Sequence, residues 1–129
     1  MQDPQVARFV QGLRAVMDAH EGPVCLLASV DLSHVGRKFG DPQGITPERI
    51  EQVHSADARM LQRLSALDAE GFFDHFRPDA NARNVDAVTA VYVMLQALGT
   101  HGHAQLLDYR QWIEEQTDSM VSFASLAVY

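Results

Sequence analysis

Between Val85 and Leu98 the chain runs for fourteen residues of which eleven are apolar, with only Asp86, Thr89 and Gln96 polar. A helix of that composition has no face to offer to water and must be covered nearly all round. The segment therefore predicts a central helix inside a layered domain. Gly99 closes it at the usual C-terminal position, and Asn84 or Asn81 is placed to cap its start. With 129 residues, 47% of them apolar, the chain is long enough to surround such a helix. A single domain over 1–129 needs no metal or disulfide staple at that size.

The other elements follow from spacing and punctuation. Asp3-Pro4 reads as a cap followed by proline in the first turn. Val6, Phe9, Val10, Leu13, Val16 and Met17 then recur at helical spacing as far as Glu21-Gly22. Pro23 opens the continuous apolar run Val24 to Val30, which predicts a central strand covered on both faces. Asp31 to Ile45, with Gly36, Gly40, Gly44 and Asp41-Pro42, predicts a loop. Thr46-Pro47 repeats the cap signal, and Ile50, Val53, Ala56, Met60, Leu61 and Leu64 carry a helical stripe in which Ser55 is a candidate break. Leu67 to Phe76 predicts a short helix burying Phe72, Phe73 and Phe76, and Leu106–Ile113 and Met120–Tyr129 predict two strands joined by Glu114 to Ser119. The expected fold class is α/β, a small mixed sheet of about three strands with a C-terminal antiparallel pair, packed by helices.

A net charge of −7 argues against a surface built to neutralise phosphates or anionic lipid, so nucleic acid and membrane are not the expected partners. No apolar run reaches the eighteen residues of a membrane span, and Met1-Gln2-Asp3-Pro4 does not resemble a signal peptide. Cys25 is the single cysteine and its neighbours are apolar, which predicts a buried thiol in a reducing, cytoplasmic setting.

The segment richest in chemistry is Ala28-Ser29-Val30-Asp31-Leu32-Ser33-His34, where a carboxylate, a hydroxyl and an imidazole leave the end of an expected strand. An Asp31 that meets one nitrogen of His34 would fix the ring and leave the other nitrogen as base or ligand. The alternative is that Asp31 caps the following turn, with Ser33 and His34 exposed. His20 suits a helix C-terminus. His54 lies in a helical stripe and faces either core or loop, His75 is expected in solvent, and His101-Gly102-His103 follows a helix stop as a polar loop. Gly36-Arg37-Lys38-Phe39-Gly40 lacks the spacing of a phosphate loop and reads as a loop rim.

The stretch Ala28 to Gly36 resembles the Ser-Ser-Asp-Phe/Leu-Ser/Cys-His-Tyr/Trp-Gly motif of the Memo-like proteins, and the order downstream agrees: Asp57 to Phe73, Asn84 to Gly99, then Leu106-Leu107-Asp108-Tyr109 and Val121 to Ser125. The resemblance is to the C-terminal half of a member. It implies the fold of the class III extradiol dioxygenases, enzymes that open catechol rings with non-haem iron, and it gives His34 the acid/base role with Asp31 as its partner. The family's metal-binding histidines lie in the N-terminal half and have no counterpart here. Its further cysteine falls on Asn84, a poor substitute for a thiolate ligand.

Two functions follow as expectations. In the first, the chain is a Memo-like binding or assembly module without independent metal-dependent activity, self-associated or joined to a partner that supplies the N-terminal half, with no cofactor in the isolated chain. In the second, a partner chain or second copy completes an enzyme acting on a small aromatic substrate. His34 and Asp31 are then catalytic, Ser33, Asn84 and His54 are further candidates, His54 or His103 is a ligand from the loops, and the metal is non-haem iron or copper.

Overall fold

The computed structural model of the chain describes residues 3–100 and 102–129. Helix α1 (Pro4–Ala19) is capped by Asp3, whose side chain accepts from the Gln5 amide. A three-residue strand β1 (His34–Gly36) is followed by a 3-10 turn, and α2 (Pro47–Ser65) then runs unbroken through Ser55. Next come α3 (Ala69–Asp74), α4 (Val88–Leu98), and the long hairpin of β2 (Ala104–Glu114) and β3 (Ser119–Val128), turned by a 3-10 segment at Glu115–Thr117. Among the described residues no helix is long and apolar enough to cross a membrane.

The sheet is three-stranded and antiparallel throughout, in the order β1-β3-β2, so β3 is central and His34 lies on an edge strand. Side chains alternate between its faces. Val35, Met120, Ala124, Leu126 and Tyr109 turn toward the helices. His34, Val121 and Trp112 stand in register across the three strands on the other face, where Trp112 and Phe123 are exposed. The main core joins Met60, Leu61 and Leu64 of α2, Phe72 of α3 and Val91 and Leu95 of α4. Helix α1 lies outside on α4, where Arg14 donates to the Ala97 carbonyl (3.1 Å) and also reaches the Gln96 carbonyl.

Three expectations are corrected. Val24 to Val30 belongs to no strand or helix, and it is not buried: Leu27 is 86% exposed and Cys25 is exposed with it. The first strand lies further along, at His34–Gly36. The physical reason is cover, since Leu64 of α2, α4 and β3 line an apolar groove of about 460 Å³ on one side of this segment and α1 flanks only its start at Val24 and Leu26. Helix α4 begins at Val88 without a side-chain cap, because Asn81 binds both the amide and the carbonyl of Val85 instead. Phe73 is exposed, whereas Phe72 and Phe76 are buried edge-to-face at 5.4 Å.

The cap of α2 is as its sequence predicts, with Thr46 Oγ1 accepting from the Arg49 amide at 3.2 Å. Thr46→Ala is expected to lower stability by about 1 kcal/mol, read as a shift of the urea midpoint at constant slope.

Candidate functional site

The residues from Asp31 to His34 are fixed by pairing with the centre of β3. Leu32 N donates to the Ser122 carbonyl (2.8 Å), Ser122 N to the Ser33 carbonyl (2.9 Å), and Ser33 N to Ser122 Oγ (2.9 Å). His34 N donates to the Arg83 carbonyl at 2.7 Å, which docks the segment between α3 and α4 against the same strand.

The imidazole of His34 is held from two sides. Its Nδ1 lies 3.1 Å from the Leu32 carbonyl and 3.0 Å from the Asn84 carbonyl. Carbonyl oxygens only accept, so Nδ1 carries the proton and Nε2 of the neutral ring is bare. Nε2 faces Asp31 Oδ1 at 3.3 Å, the pairing that the i,i+3 spacing suggests. Phe39 packs edge-on against the ring with centroids 5.0 Å apart, and the His34 side chain is 17% exposed.

A third group, Asp86, completes the cluster: one ligand atom each from Asp31, His34 and Asp86 lie within 4.8 Å of one another. Burial first, and then the charge and hydrogen bond of Asp31, push the Asp86 carboxyl up from the ordinary aspartate range. Deprotonation therefore costs more in the folded chain than in the unfolded one. The penalty is absent below the unfolded value and grows as pH rises through the folded one. Asp86→Asn is expected to raise the melting temperature modestly at pH 7 and leave it unchanged at pH 3, a difference that calorimetry at the two pH values reads directly.

Asn84 has a different role from the one its position suggests. It sits at φ +49°, a conformation asparagine tolerates, and its Nδ2 donates to the His34 carbonyl at 3.1 Å while its own carbonyl takes the His34 Nδ1 proton. It clamps the imidazole and does not cap a helix. Ser33 is fully buried, its hydroxyl donating to Asp57 Oδ1 at 2.6 Å.

His54 and His103 are not brought to this cluster. His54 is exposed on α2, tilted against Tyr109 of the opposite edge strand at 5.4 Å and lining a separate pocket of about 370 Å³ with Leu106. His103 pairs with Tyr129 at the far end of the hairpin, and His101 lies outside the described residues. His75 is half-buried rather than in solvent; burial, followed by the neighbouring Arg83 charge, lowers its pKa.

Beneath the cluster lies a buried polar network that spacing alone did not single out. Asp57 is completely buried on α2 and accepts four bonds: Ser33 Oγ and Arg83 Nη1 (3.2 Å) on Oδ1, and Ser122 Oγ (2.5 Å) and Tyr109 OH (2.9 Å) on Oδ2. Arg83 is 4% exposed, and its Nη2 meets His75 Nε2 at 3.1 Å. The signal for Asp57 was its phase, for it stands four residues after Val53 and three before Met60 on the apolar stripe of α2, where an unpaired charge is untenable. The signal for Asp86 was its place in an otherwise apolar run.

The arrangement provides one imidazole nitrogen in fixed orientation and two carboxylates able to hold a proton or a divalent cation. An imidazole clamped through Nδ1 is typical of metal-ligating histidines, and one nitrogen with two carboxylates is a mixed nitrogen and oxygen set that does not by its chemistry separate iron from copper.

A protein-family model described as "Memo-like protein" matches residues 1–127. A MEMO1 family protein of Aquifex aeolicus is 34% identical over 116 residues, which cover 88% of this chain and 29% of that protein. A MEMO1 family protein of Thermus thermophilus is 31% identical over 106 residues, 82% of this chain and 31% of that one. The chain spans about three tenths of the length of these relatives.

Proposed function

This chain belongs to the Memo-like family, and from that premise we propose that residues 1–129 carry the acid/base portion of a Memo-like site whose remaining groups come from outside them. His34 Nε2 is the group that takes or gives a proton, Asp31 stands beside it at 3.3 Å to accept its hydrogen bond once Nε2 carries that proton, and Asp86 holds the second carboxylate of the cluster. The observation that carries this reading is the double carbonyl clamp on His34 Nδ1, which leaves Nε2 bare and aimed at Asp31. A surface histidine with no task has no need of two carbonyls from segments fifty residues apart. The clamp favours a completed enzyme over an inert assembly module.

Asp31 and Asp86 would offer carboxylates toward the iron(II) that the family resemblance implies, which when bound supplies Lewis-acid and redox chemistry toward a small aromatic substrate, while His34 Nε2, kept for the proton, would not be among its ligands. Two carboxylates make a partial ligand set, so the isolated residues are proposed to have no metal-dependent activity of their own and to work with a second copy, a partner or a further segment. Phe39 walls the imidazole from solvent on one side, and Asn84 holds its backbone.

The test is nitrogen-15 NMR of the histidine rings at pH 8, paired with anaerobic iron(II) titration by calorimetry. The expected result is a His34 protonated on Nδ1 alone, with iron binding weaker than micromolar. An Nε2-protonated ring would overturn the acid/base assignment, and tight binding at one iron per chain would overturn the dependence on outside groups.

A further inference from the structure

We infer that Asp57, although it lies beneath the cluster, is the positioning residue for His34, because its buried carboxylate fixes the spacing between the two segments that hold the imidazole. This rests on the proposed acid/base role of His34. The ring is held by one carbonyl from its own segment, Leu32, and one from the segment before α4, Asn84. Its orientation therefore depends on the distance between two stretches of chain that share no helix or strand.

Beside the direct bonds between the two segments, His34 N to the Arg83 carbonyl and Asn84 Nδ2 to the His34 carbonyl, both are anchored at a single atom. Ser33, immediately before His34, and Arg83, immediately before Asn84, both donate to Oδ1 of Asp57, at 2.6 and 3.2 Å. The other oxygen takes Ser122 Oγ and Tyr109 OH, which ties the junction to the central strand and to its far neighbour. The His34 amide on the Arg83 carbonyl closes the loop. Each of these donors is spoken for by the carboxylate, and hydrogen bonds of this kind weaken steeply with a few tenths of an ångström or a loss of alignment. Releasing either arm lets Asn84 drift from Nδ1, and the ring then samples the tautomer with its proton on Nε2.

A merely structural role for a buried ion pair predicts lost stability and nothing more. The chain of residues 1–129 is compared with Ser33→Ala, which cuts one arm and leaves Arg83 paired, with Asp57→Asn, and with Val53→Ala, a core truncation outside the network. The nitrogen-15 resonances of the His34 ring are read at pH 8, and folding is checked by circular dichroism. In the native chain the two ring nitrogens are expected to be widely separated, as in a single Nδ1–H tautomer. Their separation narrows in Ser33→Ala and in folded Asp57→Asn as the second tautomer is populated, and stays native in Val53→Ala. If the folded Ser33→Ala chain keeps the native separation, or Val53→Ala narrows it equally, the positioning role is overturned while the acid/base reading stands. A native ring already of mixed tautomer overturns that reading instead, and with it the premise of this one.

Discussion

Asp57→Ala is expected to lower the free energy of unfolding by about 3–5 kcal/mol, because it leaves the Arg83 guanidinium buried without its counter-charge. Arg83 is 4% exposed, and its Nε already has no hydrogen-bond partner. Its lowered pKa follows mainly from burial, which the Asp57 charge opposes. Removing the carboxylate also strips an acceptor from the buried hydroxyls of Ser33 and Ser122 and from the half-buried phenol of Tyr109. Domains of this kind are stable by only about 5–15 kcal/mol in all, so the variant should be close to unfolding at body temperature. Urea titration measures the loss. The double variant Asp57→Ala with Arg83→Met should recover part of it, since removing both charges leaves no orphan. A single-variant loss below about 1 kcal/mol would mean that water reaches the pair and that its burial is not what holds the site.

Gly36→Ala is expected to cost about 3 kcal/mol or more, from strain of about 1–3 kcal/mol at a backbone conformation reserved for glycine together with a collision. Gly36 sits at φ +107° and ψ −174°. A Cβ there would come within 2.5 Å of both the Asp118 carbonyl and the Ser119 Cα, which are backbone atoms of the hairpin and cannot swing aside. Relief requires prying β1 from β3, and β1 has only three registered pairs with that strand. The glycine two residues after His34 is therefore a condition for seating the imidazole at the sheet edge. Hydrogen exchange at the Met120 and Ser122 amides, which face β1, should rise together with the fall in denaturation midpoint. Native-like exchange with native-like stability would contradict this account.

The amphipathic helices were legible because each carries its own instructions: a cap and proline at Asp3-Pro4 and Thr46-Pro47, then a stripe at helical spacing. The hairpin was legible for the same local reason, an alternating strand on either side of an acidic turn. Val24 to Val30 misled because an apolar run reports a need for cover, not its supply. Among the described residues, helices and β3 flank it without any strand pairing to its backbone, so its strand-like composition is not matched by a strand. In the candidate site, Asp31 and His34 could be paired from their spacing. Asp86 could not be joined to them, since nothing local says that the residue two before α4 returns to the loop before β1. Asn84 was read as a cap because asparagine before an apolar run usually is one. Here its left-handed backbone turns the side chain onto His34 instead. Phase alone marked Asp57 as anomalous, and only the fold shows the four donors that make it tenable.

The partners of that carboxylate lie 24, 26, 52 and 65 residues from it along the chain. Contacts of such separation are late to form, because loop closure must be paid for before they return anything. A network of this kind half assembled is also less favourable than none. The junction should therefore close in the last, cooperative step of folding, with low φ-values for Ser33, Arg83 and Tyr109. Partly folded forms with α1, α2 and the hairpin in place would still hold His34 loosely. An ordered imidazole would then report completion of the whole fold, and a chain that is almost native would hold the ring no more firmly than an exposed side chain holds its own.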